Sequence, residues 1–467
     1  MMKRKIEALN LEELKARIKG SVLTAGSEEF DEARTPWLLS VNQWPAVIVI
    51  AENVLDIVEA VRFAKENGLK VAVKNTGHGV GLPANEGMLI VVSSLKRVNV
   101  DPDKKTAHIE AGAKWIDVLE KAQMEGLAPL MGSSSDVGAI GYTMGGGMGW
   151  LARKFGLSVD NVLSFDVVTA AGELIHASKS ENADLYWALC GCGAAFGVIV
   201  AMEIRLFQVE TVYAGSLMYP REAASEVFGR YREWIQDIED DWTTTISIEN
   251  YPPLPMVPEF LQGKSAVVVR GCYAGPIEKG EEMIRSWLDW KEPMANLFGA
   301  IPFKDADTIS DDPKDPIPAT ARSLIVNELS DDVISILLKL AFPQNESTPL
   351  FATEIHHGGG AMARADNNAV SYSQHDAPFI LNMVGLIPNP EASLAYTEIA
   401  NVMKSEMEPY STGGVYLNFL SGDEKWNQTK DAFTPEAFKR LITLKNRYDP
   451  ENLFCFSLNI TTEQKDV

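Results

Sequence analysis

Lys74-Asn75-Thr76-Gly77-His78-Gly79, with the glycine-dense run that follows downstream, decides the fold. That run reads Gly132-Ser133-Ser134-Ser135-Asp136-Val137-Gly138, then Gly141-Tyr142-Thr143, then Gly145-Gly146-Gly147-Met148-Gly149. The first stretch is a strand that ends on a lone histidine between glycines. A backbone this poor in side chains exposes its N–H groups and lets a phosphate-bearing ligand approach closely. Two such loops, one carrying a reactive imidazole, point to a large dinucleotide held tightly.

Working outward, a strand over 46–50 precedes a helix that Asn53 caps. Val54, Ile57, Val58, Val61 and Ala64 form its apolar face, and Gly68 ends it. A strand over 70–74 completes a β-α-β unit. Further strands are expected over 88–92 and 108–111, with a helix over 115–126. Ala171-Gly172 turns a hairpin between 165–170 and 173–177. A buried strand over 194–206 closes this mixed α/β region. Beyond about residue 210, strands at 244–248, 266–270, 351–356, 379–384 and 414–418 alternate with helices at 277–290, 332–341 and 392–406. That pattern predicts an antiparallel sheet covered by helices. An amphipathic helix over 434–446 then runs into Tyr448-Asp449-Pro450-Glu451-Asn452-Leu453-Phe454.

At 467 residues and 46% hydrophobic, the chain can build two or three cores. A formal charge of -22 without Lys/Arg clusters argues against nucleic acid as a partner. Phosphate binding stays open, because backbone N–H groups need no cationic side chain. The basic Met1-Met2-Lys3-Arg4-Lys5 leads into a charged helix with no apolar signal core, and no apolar run is long enough to span a bilayer. Cys190, Cys192, Cys272 and Cys455 make neither a metal nor a disulfide framework, so they read as packing residues in a reducing cytoplasm.

Together these motifs resemble the flavin-linked oxidases of the vanillyl-alcohol oxidase superfamily, and among them the berberine-bridge-enzyme-like branch. The series continues through Arg153-Lys154-Phe155-Gly156-Leu157, Asp160-Asn161-Val162, Glu181 to Leu189, Phe196-Gly197-Val198, Gly358 to Arg364 and Tyr416-Leu417-Asn418-Phe419. The resemblance implies an α+β protein with a bipartite PCMH-type FAD-binding domain (1–209 and 422–467) and a substrate domain over 210–421. It implies hydride transfer from a small alcohol, sugar or amine-bearing metabolite to flavin N5, with O2 as acceptor. A dehydrogenase using another acceptor, or a flavin- or metabolite-binding protein without turnover, are the alternatives. FAD would be held by Asn75, Thr76, Gly77, His78 and Gly79 on the first turn. The second loop would add Gly132, Ser133, Ser134, Val137, Gly138, Gly141, Tyr142, Gly145, Gly146 and Gly149, with Val198, Asn418 and Asn459 from elsewhere.

The departures sharpen the expectation. Many members bind the flavin through a histidine and a cysteine; here His78 matches, but Ser134 stands where the cysteine would be. A single bond from His78 to the flavin 8α-methyl is therefore implied. Cys190 replaces an arginine, Ala195 an asparagine, and Ser457-Leu458-Asn459 an Asn-x-Asn. Where some relatives carry Tyr-x-Asn-Tyr, the fourth position is Phe419, leaving Tyr416 as the only phenol of the motif.

Strand alternation puts Tyr416 and Asn418 on one face. Tyr416 is then either an aromatic packed in the sheet or a base or hydrogen-bond partner of substrate, and a base role requires strong tuning of a phenol. Glu354 and His356 also share a strand face and form either a structural pair or the acid–base pair. His357 falls opposite and reads as structural.

Overall fold

The protein is described here from a computed structural model covering residues 9–255, 257–343 and 348–461; the basic Met1–Lys5 run lies outside them. The β-α-β unit around His78 forms as its sequence predicts. Val47–Ile50, Met88–Val91 and Val71–Lys74 pair in parallel, with Ser21–Leu23 antiparallel at the edge. The connecting helix Val54–Glu66 starts where the Asn53 side chain accepts from the Asp56 N–H, and it buries Ile57, Val58, Val61 and Ala64. Buried Asp56 accepts from the amides of Lys19, Gly20 and Glu52, so a carboxylate in the first turn pins the edge strand to this helix.

A second, antiparallel sheet orders Val98–Asp101, Thr106–Glu110, Gly197–Arg205, Val162–Thr169 and Leu174–Ser178. Its hairpin turns at Gly172, whose φ of 70° requires glycine. The third sheet is the largest and is antiparallel throughout. Its long strands run in the order Thr211–Pro220, Ser265–Tyr273, Trp242–Asn250, Leu350–His357, Phe379–Leu386 and Ala319–Val326. Period-2 alternation separates its faces. Ile246, Ile248, Val267, Val269, Ile355, Leu381 and Met383 pack in one apolar core with residues of the helices Ala224–Trp234, Ile277–Trp290, Asp331–Leu340 and Pro390–Met407. The opposite face carries Ser247, Glu249, Arg270, Glu354, His356 and Asn382.

A separate core holds most buried apolar residues up to Val212 and takes in Val415 to Ile460 from the chain's end. A buried polar knot fixes that return. Lys445 Nζ donates to the Ala195 carbonyl (2.6 Å), to Asp449 (2.7 Å) and to the Phe454 carbonyl (3.0 Å). Asp449 in turn accepts the N–H groups of Leu453 and Phe454. The Val71 amide bonds the Leu453 carbonyl, docking the returning segment on the strand that leads to His78.

The expected strand over 414–418 does not form. The segment is extended loop followed by one 3-10 turn, Leu417–Phe419, and has no ladder partner. Tyr416 and Asn418 therefore do not alternate across a sheet; side-chain bonds to the glycine loop position them instead. No helix among the described residues is long and apolar enough to cross a membrane.

Candidate active site

A cavity of about 410 Å³ lies where the 75–82 turn, the 132–145 loop, the 193–199 segment, the 416–419 turn and the 454–458 segment converge. Gly77 adopts a φ of +84°, and a Cβ there would stand 2.6 Å from Pro36, so only glycine makes this turn. Trp37 and Leu38 donate their amides to the carbonyls of Thr76 and Gly77. The His78 ring stacks on Trp37 (centroids 4.3 Å apart, 18° between planes), and its Nδ1 lies 2.8 Å from Thr76 Oγ1. Burial pushes the His78 pKa down to about 4, against a smaller opposing effect of Asp136. The imidazole is neutral at physiological pH, with Nε2 facing no acceptor or donor among the described residues.

The chemistry of the walls fits a dinucleotide. The amides of Gly77, His78, Gly79, Val80 and Gly81 donate to no acceptor among the described residues. No carboxylate among the described residues lines the cavity, and a Cβ at Gly141 would project into open space. Asp136, out of place beside phosphate, turns away to an ion pair with Lys114 at 2.5 Å. No cysteine is among the lining residues, and Cys190, Cys192 and Cys272 are buried elsewhere.

Asn75, Thr76, Gly77, His78, Gly79, Gly132, Ser133, Ser134, Val137, Gly138, Gly141, Tyr142, Gly145, Val198, Tyr416 and Asn418 all line this cavity. Gly146, Gly149 and Asn459 do not. Gly149 serves close packing, since a Cβ there would fall 1.7 Å from the Met131 carbonyl oxygen; Gly146 abuts Tyr372. Asn459 donates its amide to Thr429 Oγ1 and accepts from the Thr461 hydroxyl.

The Tyr416 hydroxyl oxygen accepts from the amides of Gly147 (3.1 Å) and Met148 (2.8 Å) and from Asn418 Nδ2 (3.2 Å). Burial raises the phenol to about 12, even against those three donors. Asn418 Nδ2 also donates to the Tyr142 carbonyl, and its Oδ1 occupies the space a Cβ on Gly145 would need. Tyr416 and Asn418 together peg the glycine loop.

The polar face of the large sheet approaches the cavity through Phe419, whose ring lies 4.8 Å from both His356 and Tyr416. Glu354 and His356 do not themselves line the cavity. Glu354 Oε2 accepts from Asn382 Nδ2 (2.7 Å) and lies 3.3 Å from His356 Nε2. Burial opposes ionisation of Glu354, but His356, Arg270 and Asn382 together hold its carboxyl below the usual range. Cross-strand register builds this cluster, with Ser247 opposite Glu354 and Glu354 opposite Asn382. Arg270 is paired with Glu249 at 2.5 Å, and Glu249 also takes the Tyr251 hydroxyl. His357, on the other face, is pushed down to about 3 by burial and by Arg153, whose guanidinium bonds the Trp242 and Gly358 carbonyls. Sequence reasoning missed Asn382 and Arg270, which only the register reveals. It also missed cavity-lining Lys425, hidden in Asp423-Glu424-Lys425, which reads as an ordinary solvated helix surface.

Comparison with known proteins agrees with this geometry. A family described as an FAD binding domain matches residues 45–178, and one described as berberine and berberine like matches residues 415–461. The chain is 28% identical over 450 residues to an FAD-linked oxidoreductase of Dictyostelium discoideum, covering 95% of each. It is 24% identical over 465 residues to (R)-6-hydroxynicotine oxidase of Paenarthrobacter nicotinovorans, covering 96% of this chain and 97% of the relative. The solved structure of Physcomitrella patens BBE-like 1 has the same fold, with a TM-score of 0.84 at 20% identity over 98% of this chain and all of the other.

Proposed function

Because the chain belongs to the berberine-bridge-enzyme-like FAD-linked oxidoreductases, we propose that it removes a hydride from a hydroxyl- or amine-bearing carbon of a small alcohol, sugar or amine metabolite. FAD, when bound, supplies the hydride acceptor, and O2 takes the electrons to give H2O2. The cavity carries this reading: a run of unpaired amides beside a neutral imidazole, with no carboxylate in the lining. The free amides of the first turn and the 132–145 loop bind the cofactor, and His78 holds it by one covalent bond. The FAD-binding domain comprises 1–209 and 422–467, and 210–421 forms the substrate domain. A cytoplasmic setting suits four unpaired cysteines.

For proton removal we assign His356 over Tyr416. The Tyr416 oxygen already receives two backbone amides and Asn418, and its phenol stays protonated. His356 presents Nε2 to the ionised Glu354, which leaves Nδ1 to take the proton of the substrate hydroxyl or amine. Glu354 fixes the tautomer and steadies the imidazolium, and Asn382 holds Glu354 in place.

Acid precipitation of the purified protein tests the cofactor reading. The pellet should be yellow and carry the mass of FAD, and His78→Ala should release the colour to the supernatant. A colourless protein that takes up no FAD would overturn it. Anaerobic mixing with alcohols, sugars and amines should bleach the flavin, and peroxide should form under air. Bleaching without peroxide would point to a dehydrogenase, and photoreduction without bleaching by any substrate to a binding protein.

A further inference from the structure

Lys425, on the short helix Gly422–Asn427, is 9% exposed and faces the cavity. Its Nζ meets a single protein acceptor, the Gly79 carbonyl at 3.3 Å, and no carboxylate is paired with it among the described residues. An ammonium has three protons to place, so two are left without a protein partner. Burial alone pushes its pKa down to about 8, the mark of a desolvated cation with no neutralising partner among the described residues. Lys74, the other lysine of the lining, is already engaged: its Nζ donates to the Thr35 carbonyl at 2.8 Å, and Glu32 lies within its field. The Gly422 amide bonds the Val80 carbonyl, so the helix bearing Lys425 is fastened to the turn whose amides are free.

We propose that Lys425, reaching across from the C-terminal segment, is the cation that neutralises the diphosphate of FAD over the Gly77–Gly81 turn. The inference rests on the FAD reading above. Oxidised isoalloxazine, ribityl and adenosine are uncharged, so the diphosphate is the only part of the cofactor able to compensate a buried ammonium. Unpaired amides and one ammonium converging on the same turn make the donor set that a dianion requires. Lys425 has no acid–base task in this assignment; it binds and positions.

The test uses His78→Ala protein, in which binding is reversible, and titrates FAD, ADP and riboflavin by fluorescence. Adding Lys425→Gln should raise the Kd for FAD and ADP by about 10- to 100-fold, in line with a lost charge-assisted hydrogen bond. Riboflavin affinity should change less than about twofold, and Lys425→Arg should recover most of the FAD affinity. Equal losses for FAD and riboflavin, or no loss for either, overturn the proposal. Should the Lys425 variants not fold, the native lysine reports instead. Reductive methylation followed by mass spectrometry should find Lys425 modified in His78→Ala apoprotein, protected by ADP and FAD, and unprotected by riboflavin. Protection by riboflavin, or by none of the three, overturns it. Failure of the His78→Ala and unaltered proteins to bind any of these ligands would instead bring down the FAD reading itself.

Discussion

The cavity and the sheet face that approaches it through Phe419 are made of different material. The cofactor side is backbone: free amides, glycines whose Cβ would collide with Pro36 or Asn418, and no carboxylate. The sheet side is side chain: Glu249 holds Arg270 and Glu354 holds Asn382 across neighbouring strands, and Glu354 also holds His356 along its own strand. A backbone wall recognises a feature common to many ligands and tolerates little change. A side-chain wall can be rewritten one residue at a time, and this is where substrate preference would reside.

Substitutions can test that contrast. His356→Ala should lower kcat by about 100- to 10,000-fold while the flavin spectrum keeps its intensity, as expected for loss of a general base. Stopped-flow flavin reduction would check this, and an unchanged reduction rate would move the base elsewhere. Glu249→Gln leaves Arg270 buried without its ion-pair partner and should cost about 3 kcal/mol in a urea melt, since removing one member of a buried pair exposes the other to the full desolvation penalty. Tyr416→Phe removes the oxygen that receives two loop amides and should cost about 1–2 kcal/mol with a loss of kcat under tenfold. If its kcat instead falls as far as that of His356→Ala, the phenol and not the imidazole takes the proton.

A further effect is on pH. His78 is depressed in the fold to about 4 from an ordinary value near 6.5, so the unfolded chain binds the extra proton first as pH falls. Its contribution is complete above about pH 6.5, shrinks as pH drops through that window, and is fully lost below about 4. His357, depressed to about 3, adds a similar slope reaching lower. His78→Ala apoprotein should therefore lose less stability than unaltered apoprotein between about pH 6.5 and 4. Parallel denaturation curves at each pH would remove the role of buried neutral His78.

How much of this was legible in the sequence follows the same division. The strand Val71–Lys74, the helix capped by Asn53 and the glycine loop depend on local propensity and on backbone, and each could be read directly. Gly149 was read as a ligand contact because a glycine near a loop looks the same whether a phosphate or the Met131 carbonyl presses on it. The 414–418 run has strand-like Val415, Tyr416 and Leu417, yet the edge strand Ala319–Val326 bonds its backbone only at Gly414, through the Ile325 amide, before the Tyr416 amide turns to Ser323 Oγ, and the phenol's bonds to Gly147 and Met148 decide its path. Glu354 and His356 stood out by their spacing. Asn382 and Arg270, which complete their environment, lie on other strands and become neighbours only through register. Lys425 gave no signal because helical charge looks identical on a solvated surface and over a cavity.

The polar knot at Lys445 has a practical consequence for anyone cutting this chain. With its ammonium tied to Ala195 and its partner Asp449 capping the amides of Leu453 and Phe454, the last stretch is interior masonry of the first core. Halves split ahead of Val415 and expressed separately should recover colour only when mixed, and a fragment ending there should precipitate alone.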